Sequence, residues 1–335
     1  MVKTEFITFG PVHLDIRDRK RSVTFWRDLV GLQLLDATGD SAALGVDENN
    51  PLIVLHPSAT RPVQRGYCGL YHLAINVPSE AELARVLGRV LATGHPYGAS
   101  DHIVARSIYL TDPDGIGLEI TFETPERVRS YRWDEGKDRP LVIDSDGRRR
   151  SGVEPLATGE VLAALPDRDI LRPLPAGTIV GHLHLQVQNL EASYFFYRDK
   201  IGLIHNLFAP WSGYGDLGAG GRVAHRIALN TWYGVHATAR PSGFAGLRSF
   251  TMRFLSYEHL SRAAAGIGSV EGRGREHVAH DPDGNTLIMI PAPSNGVGNT
   301  RAATETMGHE GHHEDKHLKA GRRTTYLPTS QMAPA

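Results

Sequence analysis

His13, His72 and Glu119 are metal-binding residue types that fall at matched points of segments resembling copies of one another. Two neutral imidazoles and one carboxylate on one face of a site form the ligand set that holds ferrous iron and leaves positions open for substrate and dioxygen. Their spacing therefore predicts an iron oxygenase. Glu119 is the sharpest member: in Leu118-Glu119-Ile120 an inward carboxylate would sit beside apolar neighbours, which is costly unless a cation compensates. His56, forty-three residues after His13, ends a strand and is placed to reach the same cavity, with its duplicate falling near His236.

These residues need a scaffold, and the sequence repeats one. Val12-His13-Leu14-Asp15-Ile16 aligns with Leu183-His184-Leu185-Gln186-Val187, and the register continues through Phe25-Trp26-Arg27-Asp28 and Phe196-Tyr197-Arg198-Asp199. Gly69-Leu70-Tyr71-His72 aligns with Gly246-Leu247-Arg248-Ser249, and each of these segments ends in Asp-Pro-Asp-Gly, at 112–115 and 281–284. The chain is thus read as a tandem duplication. Leu70 to Val77 alternates with the period of a half-buried strand. Ser79-Glu80-Ala81-Glu82 has capping-box spacing, and Asp18 and Asn189 are placed to start the corresponding helices. The Asp-Pro-Asp-Gly turns predict strands over 116–122 and 285–290. The expected architecture is α+β, tandem βαβββ modules in four copies paired into two half-barrel domains. The boundaries are 8–125 for the half bearing the metal site, 126–178 for a charged linker, 179–292 for the second half and 293–335 for a tail. Within the linker, Gly159 to Leu165 reads as a short helix.

Composition narrows the partners. Lys and Arg total 36 against 37 for Asp and Glu, leaving no net field to favour nucleic acid or an anionic membrane. The lone Cys68 excludes an intramolecular disulfide framework and a cysteine-rich metal site. No apolar run approaches the roughly twenty residues needed to span a bilayer, and no signal segment opens the chain. The expected address is the cytoplasm.

Four such units resemble the vicinal oxygen chelate superfamily, which embraces glyoxalases, bleomycin resistance proteins and extradiol dioxygenases, and more narrowly its two-domain catechol 2,3-dioxygenases. Gly181-His182-Leu183-His184-Leu185, Gly98-Ala99-Ser100-Asp101-His102 and Leu229-Asn230-Thr231-Trp232 carry the likeness, which covers about residues 8–291. The resemblance implies a ligand from the first strand of one unit, a second from the first strand of its partner and a glutamate from the partner's last strand, matching His13, His72 and Glu119. The second half has His184, Ser249 and Ile288 at these places and cannot repeat the triad. That departs from the better-known members, whose competent half is C-terminal. His182, on the face of His184, is accordingly read as structural.

The resemblance further implies His56 as a proton shuttle, Tyr109 as a hydroxyl hydrogen-bonded to a catecholate oxygen, and His102 as a contact to the bound diol. It implies Fe(II), with Mn(II) as the alternative ion, and no organic cofactor. The substrates would be a small aromatic diol and dioxygen, the product a ring-opened semialdehyde, and the assembly a homo-oligomer. Two other readings stay open: a glyoxalase-type metal-dependent lyase or isomerase with a fourth protein ligand, and a non-catalytic small-molecule binding module. The tail, with His309, His312, His313 and His317, is assigned no catalytic role.

Overall fold

In a computed structural model, the structure describes residues 5–292 apart from 49, 135–138, 168, 222–224, 235, 269 and 274, so the histidines of the tail lie outside the described residues. Four stretches share one element order, a strand, a helix and three strands. The first comprises β1 (Ile7–Asp15), α1 (Arg19–Thr24), β2 (Gln33–Asp36), β3 (Ala42–Gly45) and β4 (Pro51–His56). The second comprises β5 (Gly69–Asn76), α2 (Glu80–Thr93), β6 (Gly98–Asp101), β7 (Ala105–Thr111) and β8 (Gly117–Glu123). A connector follows with β9 (Val128–Asp134), β10 (Arg139–Asp144), β11 (Arg149–Arg150), β12 (Glu154–Pro155) and α3 (Thr158–Ala163). The third stretch is β13 (Ile179–Gln186), α4 (Leu190–Phe195), β14 (Ile204–Ala209), β15 (Tyr214–Gly218) and β16 (Ile227–Asn230). The fourth is β17 (Gly246–Phe254), α5 (Tyr257–Ile267), β18 (Glu271–Arg273), β19 (Glu276–His280) and β20 (Thr286–Pro291).

The helices begin where short polar side chains meet free backbone N–H groups. Asp18 accepts from Arg21 N, Asn189 from Ala192 N, Ser79 from Glu82 N and Ser256 from His259 N. Glu82 does not complete a capping box: its carboxylate is held by Arg85 and Arg172 instead. In the first and third stretches the helix widens into a π-helical turn, Phe25–Val30 and Phe196–Ile201, which buries Trp26 and Tyr197.

The pairing of the stretches differs from the domain division expected from the sequence. One sheet runs β18-β19-β20-β17-β1-β4-β3-β2 and the other β12-β6-β7-β8-β5-β13-β16-β15-β14. The first stretch therefore joins the fourth through β1 and β17, antiparallel, and the second joins the third through β5 and β13. Neither sheet belongs to one half of the chain. One hydrophobic core, from Ile7 to Met289, spans both. The connector is ordered into a small sheet, β11-β10-β9, while β12 extends the edge of the second large sheet at β6. Arg85 and Arg89, buried on α2, tie it down by donating to the carbonyls of Asp169 and Ile170. No helix among the described residues is long and apolar enough to cross a membrane.

Candidate metal centre

β5 and β13 lie side by side at the centre of the nine-stranded sheet, so that residues near their midpoints face a common space. The approach is close at Gly181, where an added Cβ would lie 1.7 Å from Asn76 Oδ1. On the other side of β5, β8 runs parallel with Ala74 opposite Glu119. The result is a triangle of His72 Nε2, His182 Nε2 and Glu119 Oε2. Each histidine nitrogen lies 3.1 Å from the carboxylate oxygen, and the two nitrogens are 3.2 Å apart.

The electrostatics explain what such a triangle holds. Burial would raise the Glu119 carboxyl, but its hydrogen bonds with His182 and His72 outweigh that penalty and hold Glu119 well below its usual value. Desolvation brings His182 down to about 3, so at neutral pH its imidazole carries no charge and offers a lone pair. A buried carboxylate beside two imidazole nitrogens is a cation-binding set. The triangle is small enough for one ion to reach all three donors at about 2.1 Å, as imidazole and carboxylate ligands require. Among the described residues, these three are the one group of His, Cys, Asp or Glu side chains gathered in this way.

The structure thus brings two of the three residues proposed from sequence together and replaces the third. His13 lies on β1 in the other sheet, opposite Ser249, with Nδ1 2.9 Å from His56 Nε2 and the two rings stacked. His56 is there too and cannot serve the triangle. Its counterpart is Asn230, since Asp15 pairs with His56 on β4 as Gln186 pairs with Asn230 on β16. His182, read from sequence as structural, stands as the third donor of the triangle, because β5 takes its partner from the third stretch and not the first.

Tyr109 and His102 do reach this site. Tyr109 stands opposite Glu119 on β7, its ring 5.8 Å from that of His72, and its hydroxyl lies 2.8 Å from His102 Nε2. Desolvation, then the Glu119 charge, pushes the Tyr109 hydroxyl well above its usual pKa. The sequence reading missed His225, whose ring centroid is 4.5 Å from that of His182. The repeat gives no signal for it, because His13 aligns with His184 and His56 with Asn230. His225 Nδ1 lies 3.6 Å from Asp216 Oδ2, which accepts from the Tyr214 hydroxyl at 2.8 Å. Desolvation lowers the His225 pKa, although Asp216 opposes it. Beside the cluster, Tyr71 packs against His72, His184, Trp232 and Tyr233. Trp232 stacks on Tyr214 and is half exposed, giving the site an aromatic rim.

Paired strand-helix-strand segments with a His-His-Glu cluster where two first strands meet define a class of α+β proteins with a metal-type site. The model of the Glyoxalase/Bleomycin resistance protein/Dioxygenase superfamily matches residues 9–120. A Bacillus subtilis (strain 168) protein named catechol-2,3-dioxygenase is 32% identical over 259 residues, covering 76% of this chain and 85% of its own. The chain belongs to this superfamily. The fold is also similar to that of a Bacillus subtilis protein presumed to be a dioxygenase, at 14% identity and TM-score 0.52, with 85% and 86% of the two chains covered. A glyoxalase I variant from Zea mays gives 13% identity and TM-score 0.50, with 86% and 94% covered.

Proposed function

We propose that the chain is an extradiol dioxygenase that binds ferrous iron at His72, His182 and Glu119 and opens a catechol ring beside its two hydroxyls, incorporating both atoms of dioxygen. The convergence of two imidazoles and one buried carboxylate, with no fourth such group among the described residues, supports this reading over a four-ligand glyoxalase-type site. The relative named catechol-2,3-dioxygenase points the same way. Ferrous iron at the triangle would supply positive charge for the two diol oxygens and a binding position for dioxygen.

The chain's own residues account for the remainder. Tyr71, Tyr214 and Trp232 offer ring faces against which a planar aromatic substrate stacks. The Tyr109 oxygen, close to Glu119, hydrogen-bonds one diol oxygen. His225, neutral and beside His182, accepts a proton from the diol, and Asp216 holds its ring on the opposite nitrogen.

Anaerobic loading with Fe(II), followed by catechol and oxygen, tests the reading. Oxygen uptake equimolar with catechol and a yellow ring-fission product are expected. Tight metal retention without uptake across several substituted catechols would shift the assignment to a lyase or isomerase, and failure to retain metal would leave a small-molecule binding module.

A further inference from the structure

The connector meets the candidate site at the corner between β6 and β7. β6 ends at Asp101, and the chain turns through His102 and Ile103 before β7. Ile103 has a φ of +66°, the one positive value outside glycine among the described residues. A β-branched side chain stays in that region only when its surroundings over-determine it. Here Ile103 N donates to Asp101 Oδ1 at 2.7 Å, Thr124 Oγ1 donates to the Ile103 carbonyl at 2.8 Å, and the side chain is fully buried. The connector adds three restraints. Arg127 donates twice to Asp101, at 3.0 and 2.8 Å; β12 pairs Glu154 with Asp101; and the Gly152 carbonyl lies 2.8 Å from His102 Nδ1.

That last contact fixes a tautomer. A carbonyl oxygen can only accept, so Nδ1 must carry the hydrogen, and in a neutral ring Nε2 is left with a lone pair. The Tyr109 hydroxyl, 2.8 Å from Nε2, is then the donor. We propose that the connector is part of the candidate site: through the Gly152 carbonyl it holds His102 in the Nδ1–H form and so directs the Tyr109 proton to His102 and away from Glu119. Two consequences follow. The Tyr109 oxygen presents its lone pairs to the cluster, ready to accept from a substrate hydroxyl, and Glu119 keeps its charge for a cation. In the opposite tautomer Tyr109 would turn its proton to Glu119 and weaken it as a ligand. His102 and Gly152 are positioning groups that act through Tyr109.

Gly152 also provides the test. Its φ is +73°, and an added Cβ would lie 3.0 Å from Val142 Cγ2, so Gly152→Ala strains the backbone that sets the carbonyl. Gly147, exposed in the turn between β10 and β11 with φ +82°, gives a matched control whose carbonyl does not touch His102. In the metal-free full chain labelled with ¹⁵N-histidine, with His102 assigned by its loss in His102→Gln, we expect a protonated Nδ1 and a bare Nε2. Gly152→Ala should erase that preference and lower kcat for catechol about tenfold, with KM near wild type and metal held less tightly. Gly147→Ala should match wild type. An Nε2-protonated His102 in the wild-type chain overturns the proposal, as does a Gly152→Ala chain with unchanged His102 signals and kcat. The kinetic readout rests on the dioxygenase reading. If no catechol is turned over by the wild type, that reading fails, and the His102 signals still decide the positioning.

Discussion

On the third stretch Asn230 donates to His184 Nε2 at 2.8 Å, and at the matching point of the first stretch His56 meets His13 at 2.9 Å. Around these equivalent pairs the two large sheets diverge. Where β13 carries His182, β1 has Pro11; where β5 carries His72, β17 has Ser249; and where Glu119 stands opposite Ala74, Ile288 stands opposite Thr251. The polar groups left at the rim of the first sheet satisfy each other, with Arg240, Arg248 and Ser58 all on Asp15. Strand pairing and the inner hydrogen bond survive where the His-His-Glu set is absent. The scaffold therefore does not depend on the metal set, and a histidine at a repeated position is not by itself a ligand.

The comparison breaks most easily at the triangle. Glu119→Gln and His182→Ala should each lower metal affinity by more than about a hundredfold and abolish turnover, whereas His13→Ala should keep wild-type metal content, read by elemental analysis after gel filtration. Equal metal loss in His13→Ala and His182→Ala would remove the distinction between the sheets. The proton-handling histidines come next. His225→Gln is expected to cut kcat about a hundredfold with metal retained, while His56→Gln stays within about twofold of wild type in the same steady-state assay.

The smallest contrast lies in the two Asp-Pro-Asp-Gly turns. Asp281 Oδ2 accepts from the Tyr197 hydroxyl and from Asn285 Nδ2, but Asp112 Oδ2 is buried with no hydrogen-bond partner. Burial pushes Asp112 up to about 7, above its unfolded value of 3.8. The folded chain therefore holds a proton there that the unfolded chain releases, and the stability this confers is complete below pH 3.8 and lost as pH rises through about 7. Asp112→Asn should raise stability by about 1–2 kcal/mol at pH 8 and leave it nearly unchanged at pH 4, whereas Asp281→Asn should destabilise at both. Urea midpoints at the two pH values measure the difference, and a pH-independent gain for Asp112→Asn would argue against the buried proton.

The amino-acid sequence determined what is local or repeated. Hydrophobic alternation, the capping residues Asp18, Ser79 and Asn189 and the Asp-Pro-Asp-Gly turns act within a few residues, so they specify each strand-helix-strands stretch wherever it packs. Glu119 and His72 were legible from residue type and repeat position, and Tyr109 and His102 from the family resemblance; all four sit in one stretch, whose own strands bring them together. Tertiary structure alone decided which stretches share a sheet. The first strands of repeated segments offer near-identical apolar faces and free backbone edges, and nothing in that pattern distinguishes β1 from β13 as the neighbour of β5. Packing of the whole chain chose β13. That choice brings His182 and His225 to the cluster, leaves His13 and His56 in the other sheet, and turns a segment that reads as a linker into the support beneath His102.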